Sequence, residues 1–138
     1  MTHSFWAAAA GELGYATGVA PPSRLSERTR ELMAVRFRAL GEPMRLKILE
    51  RLFRSPASVS EILDSVGGTQ ANVSKHLAVL RTGRLVSGRK EGNRTVYSIS
   101  DPALERLCSV VCEAVSRDAR AEARAVAGAL KRRGRRPA

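Results

Sequence analysis

The chain has 138 residues, with 24 Lys or Arg against 13 Asp or Glu, a formal net charge of +11. That length supports one modest core. The charge points away from an ordinary soluble enzyme and towards a polyanionic partner, either nucleic acid or an acidic membrane surface. Residues 1–24, rich in Ala, Gly and Pro, read as a flexible arm with room for a short helix over Phe5 to Ala10. Its apolar patch "FWAAAAG" is short for a signal-peptide core, and no Lys or Arg precedes it. No apolar run is long enough to span a bilayer, and two cysteines make no disulfide scaffold, so a cytoplasmic protein is expected.

From Ser26 the apolar spacing is helical, with Leu32, Val35, Ala39 and Leu40 on one face up to Gly41. Pro43 opens a second helix, since its missing N–H costs nothing in the first turn, and Leu46, Leu49, Leu52 and Phe53 form its predicted buried stripe. Ser58-Val59-Ser60-Glu61 has the form of a capping box for a short third helix that stops at Gly67-Gly68. Thr69 caps a fourth, "QANVSKHLAVLRT", with Val73, Leu77 and Leu80 inward and Gly83 at its end. The period then changes to two: "LVSGRKE" and "RTVYSIS" are joined through Gly92-Asn93, a hairpin with a basic tip. Asp101-Pro102 restarts a helix expected to reach Leu130, followed by "KRRGRR" as a disordered basic tail.

This order predicts a mainly α protein with a small β-hairpin, a winged helix-turn-helix. The domain is expected over residues 25–118, and residues 119–138 form a helical extension and basic tail. A helix supported by a second fits the major groove and offers its N-terminal outward residues to base edges. Here those are Gln70, Ala71, Asn72, Ser74, Lys75 and His76, which include two amides suited to adenine. The wing residues Arg89, Lys90, Asn93 and Arg94 are placed to reach the neighbouring backbone or minor groove. His76 is read as facing the DNA backbone or packing on the neighbouring helix rather than as a metal ligand.

"LGEPMRLKILERL", "TQANVSKHLAVLRTGRLV" and "RKEGNRTVYSIS" resemble, in order and spacing, the ArsR/SmtB family of bacterial winged-helix repressors over about residues 30 to 115. The resemblance implies a cytoplasmic homodimer, paired through its first and last helices, that represses a promoter and releases the double-stranded DNA operator when an inducer binds. No membrane partner is implied. One departure is Arg84, which separates Gly83 from Leu85-Val86 and predicts an altered turn.

The family's sensor sites are matched residue by residue. Its zinc-type site would fall on Asp101, Ala103, Ala114 and Arg117, so three of four ligands are missing. Its arsenite-type cysteines would fall on Ser58, Ser60 and Leu63, and its persulfide-type pair needs a cysteine within residues 43–54, where there is none. What remains is Cys108 and Cys112, four apart on one face of the last helix with Leu104, Val111 and Val115. Two thiolates there suit a soft ion such as trivalent arsenic, cadmium or zinc. Oxidation is the other chemistry, although a disulfide within one helical turn is strained. Arg106 and Glu113 oppose each other as neighbours, so neither thiol has an evident pKa-lowering partner. The competing expectation is that both cysteines are small core residues of a ligand-independent DNA-binding regulator or architectural protein. A thiol enzyme fits worse, because the spacing is C-x3-C and no βαβ pattern surrounds it.

Overall fold

The computed structural model describes residues 24–134. Residues 1–23 of the arm, its optional helix and the last residues of the basic tail lie outside these. The elements in chain order are α1 (Glu27–Leu40), α2 (Pro43–Arg54), β1 (Ala57–Ser58), α3 (Val59–Val66), α4 (Gln70–Thr82), β2 (Val86–Glu91), β3 (Arg94–Ile99) and α5 (Ala103–Gly134). The chain divides after Arg38, leaving most of α1 in one unit and everything from Ala39 in another. Within the described residues no helix is long and apolar enough to cross a membrane.

The predicted helix starts have their expected causes. Pro43 occupies the first turn of α2, and the Glu42 side chain caps that helix by accepting from the Arg45 N–H at 2.9 Å. Ser58 and Glu61 form the full capping box of α3: Glu61 N–H donates to Ser58 Oγ at 3.3 Å, and Ser58 N–H donates to Glu61 Oε2 at 2.8 Å. Those bonds to Ser58, reinforced by the Arg94 charge against partial desolvation, hold the Glu61 carboxyl below 4.5. Its capping contribution is therefore complete above the ordinary carboxylate range and fades as pH falls through the lowered value.

The core of the larger unit is built on Ile48, Leu49, Ile62, Val73, Leu77 and Leu80, all essentially inaccessible. In α2 the buried stripe is Ile48, Leu49 and Leu52, whereas Leu46 is 46% exposed. Ile48, Leu49 and Leu52 share one face at helical spacing, and position 46 falls outside it. In α1 only Ala39 is buried, and Leu32 and Val35 lie exposed on the single chain.

The sheet has a third strand that the hairpin reading lacked. The order is β1-β3-β2, with Ala57 opposite Tyr97 and Ser58 opposite Val96 in the antiparallel β1–β3 pair. Two residues are too few for alternation to register in sequence, and Ser58 also carries the α3 cap. The β2–β3 hairpin closes through Gly92, at φ +62°, with Glu91 opposite Arg94. The last helix continues through Lys131–Arg133 to Gly134, so the start of the basic tail is helical rather than disordered.

The turn after α4 has a specific form. Leu85 N–H donates to Leu80 C=O and Arg84 N–H to Arg81 C=O, both at 3.0 Å, which is a Schellman closure. Its left-handed residue is Arg84, at φ +57°, while Gly83 stays right-handed at φ −72°. Gly83 serves clearance instead, because a Cβ there would sit 3.1 Å from Ala39 Cβ. Arg84→Gly is therefore expected to stabilise the domain by about 1 kcal/mol, the left-handed penalty less the entropy of an added glycine. Urea denaturation checks this, and an unchanged or lower midpoint contradicts it.

Candidate nucleic-acid interface

The outward face of α4 begins at a turn that its sequence dictates. Gly67 and Gly68, at φ +76° and +88°, bring the chain round from α3 in a conformation closed to most side chains. Thr69 then caps α4, its Oγ1 accepting from the Asn72 N–H at 3.2 Å. Val73, Leu77 and Leu80 are at most 1% exposed and hold the helix to the core. Burial of each contributes roughly 1.5–3 kcal/mol. This fixed rotation leaves Gln70, Ala71, Asn72, Ser74 and Lys75 exposed at the start of the helix. The free N–H groups and partial positive charge of the helix start add to that face an affinity for anions.

His76 does not share this exposure. Its side chain is 15% accessible, with Nδ1 lying 3.6 Å from Glu42 Oε2 at the start of α2. The reason is helical geometry, since position 76 is adjacent to Val73 and Leu80 and so borders the buried stripe. Of the two placements expected for it, packing on the neighbouring helix is the one adopted. Partial burial works to raise the Glu42 carboxyl. Hydrogen bonds from the Arg45 and Met44 N–H groups and the charges of His76 and Arg45 outweigh it, and hold the group below 4.5.

In the wing, Arg89, Lys90, Asn93 and Arg94 are all exposed at the hairpin tip. Arg89 pairs with Glu91, and Arg94 lies 3.6 Å from Glu61 of the α3 capping box. Lys90 has no carboxylate partner among the described residues. Exposed pairs of this kind are screened by solvent and weak, so a phosphate can replace either carboxylate. The tie from wing to capping box was invisible in sequence, because 33 positions separate Arg94 from Glu61.

The two cysteines have different surroundings. Leu104 is buried and Cys108 packs half-buried beside it on the chain's own core, whereas Cys112, Val111 and Val115 are exposed. The shared face expected for them thus splits along its length, because the helix runs past the end of the core. Desolvation pushes the Cys108 thiol up from its ordinary value. Among the described residues no three His, Cys, Asp or Glu side chains cluster in a way that could hold a metal ion.

The sequence profile described as "Bacterial regulatory protein, arsR family" matches residues 42–87, from the Glu42 cap through α4 to the start of β2. A transcriptional regulator of Mycobacterium tuberculosis, Rv0081, is 39% identical over 93 residues, which is 67% of this chain and 82% of that one. The chain belongs to the arsR family. The crystal structure of Rv0081 superposes with a TM-score of 0.64 at 36% identity, covering 71% of this ArsR-family chain and 99% of that one. A homodimeric winged helix-turn-helix DNA-binding domain of Mb0332 from Mycobacterium bovis gives a TM-score of 0.61 at 29% identity over 68% and 90% of the two chains. A probable mercury resistance operon repressor of Streptomyces lividans is 38% identical over 71 residues, 51% of this chain and 57% of its own length. Members of the family are DNA-binding regulators of transcription, not enzymes.

Proposed function

We propose that this ArsR-family protein is a cytoplasmic homodimeric repressor that binds a double-stranded DNA operator through α4 and the wing. The observation that carries this reading is the division of α4 into two faces. Val73, Leu77 and Leu80 fix the helix, and Gln70, Ala71, Asn72, Ser74 and Lys75 stand free on its N-terminal half. In the proposed complex those side chains meet base edges in the major groove, with Asn72 and Gln70 suited to adenine and Lys75 to guanine or phosphate. Arg89, Lys90, Asn93 and Arg94 meet the flanking backbone or minor groove. Dimerisation would cover the apolar side chains that α1 and α5 each expose, among them Leu32, Phe37, Val111 and Val115.

Release of the operator is assigned to Cys108 and Cys112, acting on a soft metal or metalloid ion or by thiol oxidation. Similarity to the mercury operon repressor supports the soft-ion form. On the single chain Cys112 is exposed and Cys108 half-buried, with desolvation pushing the Cys108 thiol up. A specific observation also favours the second reading, in which the cysteines only fill space: Cys108 packs on the core.

The test is fluorescence anisotropy of the reduced protein on its own promoter fragment, titrated with arsenite, cadmium, zinc and an oxidant. The Cys108→Ser/Cys112→Ser protein is run beside it. Release of the wild type alone by one of these agents establishes the sensor and its chemistry. Equal binding by both proteins under every agent leaves the cysteines as packing residues of a ligand-independent regulator.

A further inference from the structure

Glutamate is an unusual residue to cap a helix, a role that Ser, Thr, Asp and Asn fill better because their shorter side chains reach the free N–H groups without strain. Glu42 nevertheless caps α2 through Oε2. The additional methylene relative to aspartate carries that same oxygen to 3.6 Å from Nδ1 of His76, 34 positions later in the recognition helix. This Nδ1 has no accessible surface and no hydrogen-bond partner as placed. A ring nitrogen so enclosed is costly unless paired, and the Glu42 carboxylate is the acceptor beside it. The distance is just beyond hydrogen-bond range, and a small rotation of the ring closes it. The other charged group at this junction, Arg45, bonds the same carboxylate through its main-chain N–H and directs its guanidinium Nε to the Ala39 carbonyl. Lys75, on His76's own helix, is exposed.

We propose that His76 is a positioning residue for the recognition helix, donating Nδ1–H to the Glu42 carboxylate and so clasping α4 to the capped start of α2. The clasp lies one turn from Asn72 and adjacent to Lys75, so it sets the tilt at which both side chains are presented. Its effect on DNA rests on the operator-binding reading above, whereas its existence is read directly from the imidazole.

Two substitutions separate reach from capping. Glu42→Asp keeps the charge and improves the cap but withdraws the carboxylate from the ring. Glu42→Gln keeps the length and an acceptor oxygen. The imidazole nitrogen spectrum of the full-length wild type is expected to show the neutral ring protonated at Nδ1 rather than at Nε2. That signature should survive in Glu42→Gln and disappear in Glu42→Asp. Operator affinity, measured by anisotropy, is expected to fall about tenfold in Glu42→Asp and in His76→Phe. Glu42→Gln should stay within about threefold of wild type, about the change left when an acceptor is kept but its charge lost. Melting midpoints of the variants confirm that each is folded. An Nε2-protonated ring in the wild type, or wild-type affinity in Glu42→Asp, overturns the clasp. A wild type with the Nδ1 proton that binds no promoter DNA supports the clasp and overturns the operator-binding reading instead.

Discussion

The Asn72→Ala/Lys75→Ala protein is expected to bind its operator 10- to 1,000-fold more weakly than wild type, with nonspecific binding reduced far less. Each good base contact in the major groove discriminates by about 1–3 kcal/mol, and Lys75 adds attraction to phosphate. The cost to folding should be small. The Asn72 and Lys75 side chains are exposed, and the bond that caps α4 uses the Asn72 main-chain N–H, which alanine retains. Anisotropy on specific and scrambled DNA, at two salt concentrations, separates the base-reading loss from the electrostatic one. Equal losses on both sequences would mean that α4 does not read bases.

Leu77→Ala is expected to have the largest effect on stability, about 2–5 kcal/mol, through lost burial and the cavity left behind. Leu77 is 1% exposed and lies midway along α4 between Val73 and Leu80. A domain of this size has only about 5–15 kcal/mol in hand, so the variant should lose its DNA affinity by unfolding or loosening the helix rather than by removing a contact. Thermal denaturation followed by circular dichroism checks this. A midpoint within about 2 °C of wild type would show that the site collapses around the smaller side chain.

The fold was legible wherever one residue fixes one local feature. Pro43, the Ser58/Glu61 box, Thr69, Gly67-Gly68 and Gly92 each dictate a start, a stop or a turn through bonds or dihedral angles confined to a few neighbours. The inward face of α4 was legible for the same reason, since three apolar residues at helical spacing are enough to orient it. What sequence could not supply were long-range facts. The β1 strand exists only by pairing with β3, Arg94 meets Glu61 across the wing, and His76 meets Glu42 across two helices. Apolar residues also carry two meanings that periodicity cannot separate. Leu46 and Val115 have the spacing of core residues yet lie exposed on the single chain, while Cys108, four residues from an exposed cysteine, packs inward.

The turn after α4 restricts the order in which this chain's own sequence can change. Gly83 and Arg84 look like neighbours whose identities were exchanged, but the two sites are bound by different conditions. Position 84 accepts glycine at any time, because the left-handed backbone favours it. Position 83 accepts a side chain only after Ala39 has become glycine or its helix has shifted by a few tenths of an ångström. Replacing Arg84 by glycine is therefore the unconstrained step, whereas a side chain at position 83 has first to be accommodated by Ala39. The pair is thus epistatic with Ala39, and a screen of position 83 in an Ala39→Gly background should recover substitutions that fail in the native one.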